Sequence, residues 1–446
     1  MARVSWRRLA LFALPLAGLI AAGIPAGSML VGHPSVHTGP KSGVAGAEAR
    51  YPAQTSSTNA DGTVVTFSEN VSGQDGGAPF YVVFARDLAR GITQRVSRGM
   101  STGGGAAVPG SGVLPYSVVS GNGRYVAFAQ YVDVPQFEVL VYDLSTHTSR
   151  QVSVGRHGAM PDSHSFHPAL SSDGSVVAFE SAATNLVTGD TNDDSDIFVS
   201  SGGGIRRVSV GASGQGNGNS HLPAISADGR YVVFTSDADN LVPGDTNGEQ
   251  DVFVRDLTYG ITNRVSISTA ARQADGASFD PAISADGRYV AYDSVASNLV
   301  AGDTNGTADV FVRDLRYGTT NRISRSGTGG QGNSYSSGPA LSADGRYVAF
   351  TSAASNLVAG DSNARSDVFV RDVRIGATYR VSLGTADAQP DGNSTAASIS
   401  ADGQFVAFTS AGTNLVAGDA NGVADGFVRD RWSRTTVRAS VDADPF

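Results

Sequence analysis

Ser226-Ala227-Asp228-Gly229-Arg230-Tyr231-Val232 is followed by the same seven residues from Ser284 and again from Ser342. A variant, Ser400-Ala401-Asp402-Gly403-Gln404-Phe405-Val406, comes next. The four aspartates, Asp228, Asp286, Asp344 and Asp402, stand 58 residues apart. Looser copies put Asp173-Gly174, Asn122-Gly123 and Asp61-Gly62 upstream. A fixed period of this length marks a repeat architecture. Seven copies fill residues 51–446.

Each copy holds four strand-like runs. In one copy they are Pro223 to Ser226, Arg230 to Thr235, Asp251 to Asp256 and Thr262 to Ile267. The second alternates as a half-buried strand does. Asp-Gly between the first two runs is a hairpin signal, because the tight turn needs a positive φ that glycine supplies at no steric cost. Asn122-Gly123 serves the same turn. No helical periodicity appears after residue 50. Four antiparallel strands repeated seven times predict an all-β, seven-bladed β-propeller of four-stranded antiparallel blades. The two most N-terminal copies are divergent, so six blades plus an irregular N-terminal part is the alternative count.

The pattern Pro339-x-x-Ser342-x-Asp344-Gly345-x-x-Val348-Ala349-Phe350, followed by Asp367-Val368-Phe369-Val370-Arg371-Asp372, resembles the TolB-like, PD40 (WD40-like) propeller repeat. That resemblance implies a protein-interaction scaffold. It also implies that the blade-to-blade loops and the second-to-third-strand loops share one face, with the Asp-Gly hairpins on the other. Fold-level likeness says little about activity, since propellers host unrelated functions.

Composition narrows the class. Glycine numbers 55 of 446 residues, and charged residues are 16%, against an ordinary ~25%. This fits many turns joining buried strands. There is no cysteine, which removes disulfides, thiolate metal sites and thiol nucleophiles. The chain carries −9 overall, and its first fifty residues carry +4 (Arg3, Arg7, Arg8, Lys41 and Arg50 against Glu48), leaving −13 on the rest. Nucleic acid is disfavoured, since it needs a basic stripe. Cations and basic partners are permitted.

Arg3, Arg7 and Arg8 precede an apolar run from Leu9 to Ile24, with small residues at Ala26, Gly27 and Ser28. This predicts a secretory signal peptide over residues 1–28 and an extracytoplasmic protein, secreted or envelope-associated. An uncleaved anchor is the alternative, and it would be the only membrane contact. Residues 29–50 read as a flexible linker.

The connection between second and third strands is too long for a simple hairpin. It reads Asn240-Leu241-Val242-Pro243-Gly244-Asp245-Thr246-Asn247-Gly248-Glu249-Gln250-Asp251, and its Leu-Val pair is expected to tuck against the blade. Its polar core recurs as Asp190/Asn192/Asp196, Asp245/Asn247/Asp251, Asp303/Asn305/Asp309, Asp361/Asn363/Asp367 and Asp419/Asn421/Asp425. Alternating Asp and Asn oxygens suit Ca²⁺, and the run partly resembles Asp-x-Asp-x-Asp-Gly calcium loops, including those of integrin-type propellers. It departs from them at the fifth position: Asp194, Glu249, Thr307, Arg365 and Val423. Asx turns, in which these side chains bind their own backbone, are the competing reading. The ten aspartates would give one face an acidic rim.

Gln215, Gln273, Gln331 and Gln389 recur between blades as candidate binding residues, or as amides capping strand ends. His164, His167 and His221 fall in corresponding segments of adjacent copies. They are candidates for a transition-metal site near the channel mouth. Arg264, Arg322, Arg380 and Arg438 recur on the outer strand, and Arg255-Asp256, Arg313-Asp314 and Arg371-Asp372 end the third strand. Both read as structural ion pairs.

No Gly-x-Ser-x-Gly elbow and no phosphate-binding glycine loop is present. A catalytic group would rarely repeat in every blade. The expectation is therefore a non-catalytic exported scaffold that binds a protein or cell-envelope glycan through the acidic loop face. Two alternatives stand: a lyase-like polysaccharide enzyme using the histidines, and a calcium-stabilised structural surface protein.

Overall fold

The computed structural model describes residues 31–32, 53–71, 80–97, 113–131, 136–420 and 422–440. Seven four-stranded antiparallel blades form a ring. Blade 4 shows the pattern: Ser220–Ile225 innermost, then Tyr231–Ser236, Asp251–Asp256 and Ile261–Arg264. The innermost strands of the other blades are Ala53–Thr58, Val113–Val119, Ser165–Leu170, Ser278–Ile283, Ser336–Leu341 and Ser394–Ile399. The seven-blade count holds, including the divergent first two copies. The expected signal peptide and most of the linker lie outside the described residues. Val31–Gly32 pair in parallel with Ala424 and Asp425. Among the described residues no helix is long and apolar enough to cross a membrane.

Strand alternation explains the packing. Val232 and Phe234 turn towards blade 3, where Ala178, Ile197 and Val199 meet them. Val233 turns the other way, to Val290 and Tyr292 of blade 5. Each blade thus buries both faces only through its neighbours. Phe234 and Phe253 stack at 5.9 Å, and equivalent pairs recur in blades 3, 5, 6 and 7. Leu186, Leu241, Leu299, Leu357 and Leu415 of the long loops are buried against the blades, as their apolar character predicts.

Among the described residues the four antiparallel strands of each blade come from one continuous stretch of chain. Besides the Val31–Gly32 pairing with the last blade, a circuit of backbone hydrogen bonds between the Asp-Gly hairpins closes the ring. Ala60 N–H donates to Gly121, Asn122 to Ser172, Ser172 to Ala227, Ala227 to Ala285, Ala285 to Ala343, Ala343 to Ala401 and Ala401 to Ala60. The hairpin glycine lies beneath a side chain of the preceding blade. Gly287, at φ +73°, would place a Cβ 2.2 Å from Tyr231 Cδ2. Only glycine meets both demands.

Every innermost strand from blade 3 to blade 7 carries a bulge near its loop-face end. The bulged residues His167, Leu222, Asp280, Gly338 and Ala396 all have positive φ. In four blades proline follows (Pro168, Pro223, Pro281, Pro339). The bulge tolerates the N–H that proline lacks. This device decides which side chain each blade sets beside the axis.

Candidate functional site

The ten loop aspartates do not form an open acidic rim. Arg264 Nη1 reaches Asp245 at 3.3 Å and Asp251 at 3.0 Å. Arg207 joins Asp190 to Asp196, Arg322 joins Asp303 to Asp309, Arg380 joins Asp361 to Asp367, and Arg438 joins Asp419 to Asp425. All ten carboxylates are buried. The cation between each pair is the chain's own guanidinium, whose planar donor array suits such bridging. The hairpin aspartates Asp61, Asp173, Asp228, Asp286, Asp344 and Asp402 are exposed on the opposite face, and on the loop face Asp275 and Asp391 of the blade-to-blade loops are exposed.

The glutamines complete this scaffold. Gln215 Nε2 donates to Asp190 (2.8 Å) and Asp196 (3.2 Å), while its Oε1 accepts from Thr191 N–H. Gln273 and Gln331 repeat the arrangement. Gln389 differs, donating to the Gly360 carbonyl and accepting from Arg380. Asn192, Asn247, Asn305 and Asn363 donate to the carbonyls of Gly216, Ala274, Gly332 and Pro390. All four also close Asx turns, as Asn247 does by accepting from Glu249 N–H. Asn421 lies outside the described residues. The third-strand pairs separate: Asp256 binds Arg230 at 2.6 Å, and Arg255 reaches back to the Val210 carbonyl of blade 3.

The histidines divide. His164 Nδ1 accepts from Phe137 N–H at 2.9 Å, and its ring stacks on Phe166. His167 and His221, from adjacent blades, both direct Nδ1 at Glu180, each at 2.8 Å. Leu222 N–H reaches the same carboxylate at 3.4 Å. Burial alone would raise the Glu180 carboxyl, but the two imidazoles overcome this and hold it at about 2. Burial opposes charge on His221, yet Glu180 raises it above the ordinary imidazole value. Among the described residues no three His, Cys, Asp or Glu side chains group closely enough to hold a metal ion.

Blade 5 has a counterpart. Asp280 occupies the bulge position of His167, and Asp293 the second-strand position of Glu180. Asp293 accepts from Gly338 N–H of blade 6 at 3.2 Å, as Glu180 accepts from blade 4. Burial pushes Asp280 up to about 6, partly offset by His167 across the ring. Burial and the neighbouring Asp280 push Asp293 well above the carboxylate range. Ionisation of one carboxyl of this pair disfavours ionisation of the other. Tyr116 of blade 2 completes the arc, its ring edge-on to His167 at 5.3 Å.

Glu180, Asp280, Asp293 and Tyr116 escaped the sequence reading, which followed what repeats. Their signal is the opposite one. The position of Glu180 and Asp293 is threonine at 235, 351 and 409, and that of Asp280 is Leu222, Gly338 or Ala396 elsewhere.

No protein-family model matches the chain, and no curated protein matches it. Solved structures do. The β-propeller domain of the Trilobed protease from Pyrococcus furiosus, described as having an open velcro topology, aligns over 88% of this chain and 99% of its own, with a TM-score of 0.53 and 10% identity. An oligogalacturonate lyase from Vibrio parahaemolyticus aligns over 90% of both chains, at 0.52 and 12%. TolB from Acinetobacter baumannii aligns over 86% of this chain and 81% of its own, at 0.42 and 15%. The first two agree with the propeller fold that the repeat predicts.

Proposed function

We propose that this chain is an exported propeller scaffold that binds a protein partner at the loop-face mouth of its central channel. One observation carries this reading: the large polar side chains that break the repeat gather there, on blades 3, 4 and 5. Architecture accounts for what recurs in every blade, and recognition for what does not. Rigid scaffolds of this kind commonly present binding groups on such loops. Three large side chains exposed on this face, Tyr116, Met160 and Val295, also lie outside the repeat. The charge sign favours a protein over an acidic glycan, because Glu180 is ionised and the Asp280–Asp293 pair retains negative charge above pH 6.

A photo-crosslinking residue placed at position 295, and separately at position 317 on the hairpin face, tests this in an envelope extract. The expected result is a discrete cross-linked protein from position 295 only. Capture from position 317 alone, or of glycan instead of protein at 295, overturns the reading.

A further inference from the structure

The bulge device sets unlike side chains round the axis. At the bulge blades 3 and 5 place His167 and Asp280, blade 4 places Leu222 with His221 just before it, and blades 6 and 7 place Gly338 and Ala396. A Cβ built on Gly338 meets nothing within 4 Å. There is thus open space beside the blade 5 carboxyls.

The hydrogen-bonding capacity left over at this space has one character. His167 and His221 spend Nδ1 on Glu180, and neither Nε2 has a hydrogen-bond partner among the described residues. An imidazole that donates from Nδ1 to a carboxylate presents Nε2 as an acceptor when neutral. Asp280 is half-buried and has no hydrogen-bond partner among the described residues. Asp293 receives only the Gly338 amide and its own backbone. Two imidazole nitrogens and the carboxyl oxygens of Asp280 and Asp293 are therefore the acceptor capacity left over near the loop-face ends of blades 3, 4 and 5. A metal ion would need three such groups in closer company than the described residues provide. A neutral ligand would leave the carboxylate charge uncompensated.

We infer that the loop-face mouth of the channel is a binding site for a guanidinium group, the side chain of an arginine presented by a partner, held by Asp280 and Asp293 with His167 and His221 Nε2 as further acceptors. A guanidinium carries five N–H donors in a fixed plane, never loses its charge and matches carboxylates two bonds at a time. Glu180 positions both imidazoles. The inference rests on the loop-face reading above and names the group recognised. The facing titratable groups are Asp280, Asp293, His167, His221, Glu180 and Tyr116, with Asp194 and Asp237 acting on His221. Protonating His221 or the aspartate pair adds like charge or removes the counter-charge, so affinity rises with pH.

The test is NMR of the histidine side chains during titration with N-acetyl-arginine amide, N-acetyl-lysine amide and neutral N-acetyl-citrulline amide, at pH 8 and pH 5. The expected result is saturable shifts of His167 and His221 with arginine, weaker ones with lysine and none with citrulline. Binding should weaken roughly tenfold or more at pH 5. Asp280→Ala and Asp293→Thr carry residues that other blades already hold there, so the fold survives them; both should abolish binding. Citrulline binding as well as arginine, or unchanged binding in both variants, overturns the inference. Loss of arginine binding in these variants with cross-linking at 295 retained leaves the loop-face scaffold standing without this site's role in it. Arginine binding without any cross-linked protein does the reverse.

Discussion

Ala401 N–H donates to the Ala60 carbonyl at 2.7 Å, so the last blade meets the first through the bond that joins every other pair. The side-chain seal matches as well. A Cβ on Gly62 would lie 2.4 Å from Phe405, and one on Gly403 2.2 Å from Tyr347. Gly62→Ala and Gly403→Ala should therefore cost similar stability, at least ~1–3 kcal/mol each from positive φ and overpacking. Urea denaturation compares them. A near-neutral Gly62→Ala would show that the closing junction is looser than the rest.

Arg264→Ala should be severe. It leaves the buried carboxylates of Asp245 and Asp251 without their counter-charge, at a cost of about 3–5 kcal/mol. Arg90→Ala, which removes an exposed pair with Asp87, should cost about 0.5 kcal/mol or less. Melting temperatures in EDTA and in added Ca²⁺ should coincide, because a guanidinium already spans each aspartate pair. A rise of several degrees with Ca²⁺ would show that the loops recruit a metal despite it.

Stability should peak in mild acid. Burial raises Asp196 to about 6 and lifts Asp245, Asp251, Asp303 and Asp361 above their ordinary range. The folded form then holds these protons more tightly than the unfolded chain, so stability falls as pH rises from about 4 to 6. Arg230 lowers Asp256, and the two imidazoles hold Glu180 at about 2. These contributions are lost as pH falls below about 4. Calorimetry from pH 3 to pH 8 should find the highest melting temperature near pH 4–5.

Asp280→Ala removes a carboxyl whose ionisation the fold opposes. It should gain on the order of 1 kcal/mol at pH 8, after allowance for channel water, and nothing at pH 3, below both its folded and its unfolded titration. Paired chemical denaturation at the two pH values checks this. An equal gain at both would point to packing instead of charge.

Glu180→Thr should move His221. Glu180 raises that imidazole against the opposing effect of burial. Without the carboxylate, burial is opposed only by the weaker pull of Asp237 and Asp194, and the titration midpoint should fall. A midpoint unchanged in the variant would remove Glu180 from its positioning role.

The blade fold was legible because its rules are local and repeated. Asp228-Gly229 demands a hairpin, and Val232, Val233 and Phe234 demand a neighbour on each side. The loops were legible only in part. Asp245, Gln273 and Arg264 were each seen to recur with the same period, but the pairing of the aspartate with an arginine on the outer strand needs three dimensions. The axial cluster was least visible. His167 and His221 are 54 residues apart, and the glutamate joining them stands on another strand. Asp280 differs from its counterparts at a position where the fold accepts histidine, leucine, glycine or alanine.

The hairpin circuit has a further consequence. Every junction carries a hairpin bond of the same kind, so that bond by itself does not set the order of the blades. A chain reopened in the loop between blades 3 and 4, with its old ends joined, would find the same set of contacts. Two copies refolding together can also satisfy each other's junctions, the route by which repeats exchange between molecules. The departures from symmetry at Glu180, Asp280 and Asp293 are then the marks by which one blade is told from another, and they distinguish a correctly assembled ring from a shuffled one of equal stability.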